Sequence, residues 1–168
     1  MSTALLTAAR NVWPFKGEPI EMGVENDIPW AIASNGDIYS PALCGYAQIP
    51  AEGHPWCTIT GEDDELDRLV TAPGGITWGP VAPYEFPPGE QHKGRTLLDC
   101  GGWIGFDTSH FNDHWPSAEL KKVGLVREPL PNGEFLTPFP WSPGSRDWTV
   151  DLITSEARDL ARQIAAAR

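Results

Sequence analysis

Apolar positions along this chain fall into short runs separated by Pro and Gly, and one long helical stripe closes the sequence. The stripe covers residues 147–167. Val150, Ile153, Ala157, Leu160, Ala161 and Ile164 recur at i, i+3/i+4 and i+7, the spacing of one face of an α-helix, while Asp151, Glu156, Asp159 and Arg162 fall on the other face. Such a helix packs across a sheet. Residues 29–34 and 37–40 flank Asn35-Gly36, a pair suited to the two positive-φ positions of a type I′ turn, and so predict a β-hairpin. Residues 42–49 predict a further strand, stopped by Pro50. Residues 96–107, apolar at Trp103, Ile104 and Phe106, predict a central strand that runs out into polar residues.

The remaining segments are shorter and more broken. Residues 1–10 allow a helical turn or two, and Pro14, Gly17, Pro19 and Gly23 then punctuate the text, so 1–27 is expected to be an irregular arm. Residues 63–70 have the acid-rich opening of a helix, with Leu66, Leu69 and Val70 on one face. Residues 73–79 predict a turn and a short strand, and 80–95 a loop. Residues 117–126 predict a short helix with Ser117 as N-cap and Gly124 as stop. Residues 127–146 are rich in Pro and Gly and carry an Asn132-Gly133 turn. Strand signals over 28–146 followed by a closing helix give the expected fold class: α+β, a small, mainly antiparallel sheet with the C-terminal helix on one face, in one domain spanning 1–168.

Composition narrows the function classes. A chain of 168 residues can bury a core without metal or disulfide staples. The 17 Gly and 17 Pro predict long loops, and eight Trp predict that some rings line a cleft or interface. Twelve basic against 23 acidic residues give a net charge of −11, with no basic run to neutralise a phosphate backbone, so nucleic acid is not an expected partner. A small anion at a local Arg or Gly-rich site remains compatible with that charge. Cys44, Cys57 and Cys100 lack CxxC spacing, which predicts neither a disulfide framework nor a zinc site, and Cys100 is expected to be an inert buried thiol. No signal peptide and no membrane-length apolar stretch is evident, so the expected setting is the cytoplasm, with no membrane partner.

The densest polar cluster is Phe106-Asp107-Thr108-Ser109-His110-Phe111-Asn112-Asp113-His114-Trp115, where an apolar strand becomes a loop. Asp107, His110 and Asp113 recur at intervals of three. They suit two chemistries: Asp and His ligands for a divalent metal, or a carboxylate orienting His110 as general base. A third reading has the carboxylates capping backbone N–H groups of their own turn. His54, in Gly53-His54-Pro55, is a second candidate for ligand binding. Gly74-Gly75 before Ile76-Thr77 either lets backbone N–H groups approach an anion or makes a tight turn. Gly101-Gly102 before Trp103 predicts a strand irregularity. No GxSxG, HExxH or Walker sequence is present.

The order of these motifs resembles that of a family of small accessory proteins of actinobacterial bacteriophages. The resemblance rests on Gly45-Tyr46, Gly53-His54-Pro55, Gly74-Gly75-Ile76-Thr77, Trp103-Ile104-Gly105-Phe106-Asp107 with His110 and Asp113, and Leu160-Ala161-Arg162-Gln163, over residues 42–167. Two positions depart from it: Pro73 stands where the group has a His, and Thr108 where it has a Cys. The resemblance implies a phage or prophage origin and action in the host cytoplasm, and it implies no reaction. Three functions follow as expectations. The first is binding of a small polar, nucleotide-like ligand or host defence signal by His54, Gly74, Gly75, Thr77 and Trp103, with Arg95 or Arg127 meeting phosphate. The second is a metal-dependent or His/Asp-based hydrolase using Asp107, His110 and Asp113, with His54 as a further candidate. The third is an acidic module that inhibits a host protein.

Overall fold

Strands β1 (Glu21–Glu25), β2 (Ile28–Ser34), β3 (Leu43–Gln48) and β4 (Trp103–Phe106) form an antiparallel sheet in the order β1-β2-β3-β4. Among the described residues, helices α1 (Ser2–Asn11), α2 (Ser117–Lys122) and α3 (Val150–Ala166) accompany it. The computed structural model describes residues 2–15, 17–58, 68–78, 101–136 and 143–167. The fold is α+β, with the C-terminal helix packed on the sheet as its apolar stripe predicts.

Both faces of the sheet are covered, which is why β2 reads as a continuous apolar run rather than an alternating one. Alternation survives in where the side chains go. Ile28, Trp30, Ile32, Leu43, Ala47, Ile104 and Phe106 join Ile153, Ala157, Leu160, Ala161 and Ile164 of α3 in the main core. Ala31, Ala33, Cys44, Tyr46 and Trp103 point the other way, towards Ala9 of α1 and the Trp13–Phe15 stretch that follows it. Three cross-strand pairs set a large ring over a glycine: Trp30 opposite Gly23, Phe106 opposite Gly45, and Tyr46 opposite Gly105. A Cβ on any of these glycines would overlap the ring of its partner. The ring lies down on the neighbouring strand because nothing else occupies that space.

Helix α3 is held at both ends. Thr149 Oγ1 accepts from Leu152 N at 3.0 Å as N-cap, and Val150 N donates to Glu119 Oε2 at 3.0 Å, which ties α3 to α2. Glu25 of β1 meets Arg158 at 2.7 Å and Arg162 at 3.6 Å, and the hydrogen bond from Arg158 holds its carboxyl below the ordinary range.

Several expectations are corrected. Asn35-Gly36 does not close a tight hairpin onto 37–40. Only Gly36 of that pair has positive φ, and β2 pairs instead with β3 across a loop that Asn35 Oδ1 pins by accepting from Asp37 N and Ala42 N. The two-residue hairpin lies one turn earlier, at Asn26-Asp27, with φ of 49° and 63° between paired Glu25 and Ile28. The arm over 1–27 is therefore not irregular throughout, because it contains α1 and β1. Ser117 is the first residue of α2 and not its N-cap, which is Pro116, while Gly124, at φ 77°, does end the turn. Cys57 is disulfide-bonded, against the expectation of free thiols, whereas Cys44 is free and buried. The segments 80–95, most of 63–70, the first part of 96–107 and Cys100 lie outside the described residues.

Two measurements check this account. Gly45→Ala should lower the free energy of unfolding by about 1–3 kcal/mol through overpacking against Phe106, while Gly17→Ala, with open space around it, should leave the urea midpoint unchanged. Protein unfolded without reductant should be alkylated at Cys44 and not at Cys57, and a fully reduced sample at both.

Candidate functional site

The polar segment after β4 is fixed at both ends before any of its functional groups are considered. Thr108 is buried, and its hydroxyl donates to Leu43 O at 2.6 Å while accepting from Trp115 Nε1 at 2.7 Å. Further on, the two-residue strand β5 (Asp113–His114) pairs in parallel with β6 (Arg146–Asp147), just ahead of α3. The loop carrying His110 is thus stretched between the sheet and the start of the closing helix.

Asp107, His110 and Asp113 converge. Asp113 Oδ2 accepts from His110 N at 3.0 Å and from His110 Nδ1 at 2.9 Å. Because a carboxylate oxygen can only accept, Nδ1 carries the proton and Nε2 is left bare in the neutral ring. Asp113 Oδ1 accepts from Trp148 Nε1 at 2.7 Å, and Trp148 is fully buried in the main core. His110 Nε2 lies 3.8 Å from Asp107 Oδ1. Asp107 Oδ1 also accepts from Ser109 N at 2.9 Å, and Asp107 N donates to Thr77 Oγ1 at 3.0 Å. Each carboxylate ties down backbone of its own turn, and together they flank one imidazole.

The glycine turn belongs to the same place. Gly74 and Gly75 have φ of 73° and 83°, and Gly75 N donates to Ala72 O at 3.0 Å. That N–H is consumed by the turn, so the expected anion cradle at Gly75 is corrected. Gly74 has a different use: a Cβ there would overlap the His110 imidazole, so the missing side chain makes room for the ring. Thr77 sits at the edge of the adjoining cleft, its N–H bonded to Gly105 O.

Two other candidates are corrected. His54 is buried; Nδ1 accepts from Trp56 N at 3.2 Å, so Nε2 carries the proton and donates to Ile164 O at 2.9 Å. Both ring nitrogens serve backbone groups, and the ring caps a carbonyl in the last turn of α3. Trp103 is 1% exposed and lies behind Trp13, ring centroids 5.0 Å apart, so it supports the floor of the aromatic layer without reaching a ligand.

Two clefts flank the Asp107–Ser109 segment. The larger, about 550 Å³, is walled by Phe15, Tyr46 and Trp78, with Asn35, Thr77, Asp107 and Ser109 along its edge. Phe15 packs on Trp78 at 4.7 Å and on Tyr46 at 5.1 Å, so the N-terminal arm builds this wall. The smaller, about 260 Å³, is lined by Tyr39, Ser40, His110, Asp113, His114 and Arg127. His114 Nδ1 meets Asp147 Oδ1 at 2.8 Å, a second His–Asp pair that the spacing of the first did not reveal. Burial pushes the Cys44 thiol up to about 11, so this cysteine beside the larger cleft is not a ready nucleophile. Among the described residues, no group of three or more His, Cys, Asp and Glu side chains is arranged to hold a metal ion.

No protein-family model, curated protein or solved structure matches the chain. The class that fold and site define is an α+β protein with an aromatic cleft beside an oriented His–Asp pair.

The two histidines should separate cleanly. His54→Ala should destabilise the fold by about 1–3 kcal/mol, the cost of leaving buried partners unpaired. His110→Ala removes a half-exposed ring and leaves Asp113 its bonds from Trp148 Nε1 and the backbone N–H of residue 110, so it should cost less, about 0.5–1.5 kcal/mol. Urea denaturation of the two variants measures both.

Proposed function

We propose that the protein binds a small polar ligand carrying a flat ring, with a nucleobase or nucleoside as the best-fitting class, in the cleft beside Asp107. One observation carries the reading: a concavity of about 550 Å³ with aromatic walls and a polar edge on one side. That volume lies in the range of small-molecule sites. The partly exposed rings of Phe15 and Trp78 offer faces for stacking, which suits any base. Asn35, Thr77, Asp107 and Ser109 supply donors and acceptors for a base edge or sugar hydroxyls. In the setting implied by the motif resemblance, a phage accessory protein of this kind acts in the host cell by sequestering a nucleotide-like host signal.

A second reading has its own observation, the Trp148–Asp113–His110 chain. An imidazole with Nδ1 fixed and Nε2 bare is the arrangement of a general base, and a water held between Nε2 and Asp107 would be its substrate in a hydrolase. The metal-dependent form of that reading has no donor set among the described residues.

Titration of intrinsic tryptophan fluorescence with a panel of bases and nucleosides tests the first reading. At least one member should bind saturably, and Trp78→Ala should weaken it about tenfold or more, since stacking one base on an aromatic ring is worth roughly 1–3 kcal/mol. Absence of saturable binding, or equal affinity in Trp78→Ala, would contradict it. Chromatography of the same mixtures distinguishes the hydrolase: turnover that His110→Ala abolishes supports it, and intact ligand throughout removes it.

A further inference from the structure

We infer that the smaller cleft, on the far side of Ser109, is an oxyanion site of phosphate type built on Arg127. In a chain with 23 acidic and 12 basic residues, arginines find carboxylates easily: Arg10 meets Glu18, and Arg158 and Arg162 meet Glu25. Arg127 is not among these pairs. It is half-buried, its Nε is buried without a hydrogen-bond acceptor, and among the described residues no carboxylate lies in ion-pairing range of it. A buried N–H without an acceptor is costly and uncommon, and a guanidinium more so than an amide.

Arg127 lines the cleft, and the groups facing it are mostly donors. Tyr39, Ser40 and Ser109 contribute hydroxyls, and the Ser109 oxygen lies 3.3 Å from Asn35 Nδ2, which leaves its own O–H to point elsewhere. His110 and His114 line the same cleft, each engaging a carboxylate through Nδ1. The carboxylate in the lining, Asp113, is turned to other work: both its oxygens accept from Trp148 and His110. A planar guanidinium with flanking hydroxyls and imidazoles matches a tetrahedral oxyanion, and about 260 Å³ accommodates one.

The anion has two sources, free phosphate or the phosphate of a nucleotide. Ser109 lines both clefts, so a nucleotide with its base against Phe15 and Trp78 would cross it to reach Arg127. That second source rests on the ligand reading above, whereas the site itself does not. Titration of wild-type protein with inorganic phosphate at constant ionic strength, followed by the Arg127 Nε–Hε resonance, tests the site alone. A saturable shift, absent with chloride and absent in Arg127→Met, is the expected result. A shift that does not saturate, one reproduced by chloride, or phosphate affinity retained in a folded Arg127→Met overturns the proposal. If the variant fails to fold, the wild-type titration still decides. A nucleoside 5′-monophosphate binding at least tenfold tighter than both phosphate and its nucleoside assigns the anion to a nucleotide, while affinity equal to that of phosphate assigns it to the free ion.

Discussion

Asp113 joins the fold to the site. Its two oxygens accept three hydrogen bonds, one from the indole of Trp148 and two from the backbone and ring of His110. The carboxylate is largely shielded, with side-chain exposure of 12%, so donors must replace the water it has lost. One of those donors belongs to a residue fully buried in the main core, stacked on Trp115 at 6.1 Å. The orientation of a half-exposed imidazole is therefore set from the hydrophobic interior, through a single charged group. Without Asp113 the ring of His110 would be free to rotate, and neither Nε2 nor Asp107 would have a defined relation to the clefts.

The same economy of contacts runs through the sheet. Glycines opposite Trp30, Phe106 and Tyr46 let large rings lie across neighbouring strands, which keeps both faces apolar and thin enough to be covered. One face takes α3. The other takes α1 and the Trp13–Phe15 stretch, where the aromatic layer stops short and leaves the larger cleft. The cleft is a gap in a packed layer, and its polar edge comes from residues that follow strand ends, Asn35 after β2 and Asp107 after β4. His54 plays a comparable part at the opposite end of α3, where it spends both nitrogens on backbone.

Legibility in the sequence followed physical range. Helix α3 and strands β3 and β4 were readable because periodicity is local. Asp107, His110 and Asp113 were readable as a group because three-residue spacing in a tight turn brings side chains together, and Thr77 because it follows the Gly-Gly turn. The β1–β2 hairpin was hidden by a turn made of Asn26-Asp27, which lacks the glycine that usually marks positive φ. The β5–β6 pairing, the Trp148–Asp113 bond and the contribution of Phe15 to the cleft join residues far apart in the chain, and no local pattern announces them. His54 and Trp103 carry the chemistry of a site, yet burial, which spacing does not report, assigned them to the interior.

The most direct check on Asp113 as the organising group is the tautomeric state of the imidazoles, read from long-range ¹⁵N–¹H correlation at mildly alkaline pH. The account predicts His110 with its proton on Nδ1 and a bare Nε2, and His54 as the opposite tautomer with its proton on Nε2. His110 found with the proton on Nε2, or averaging between the two forms as a free imidazole does, would contradict it.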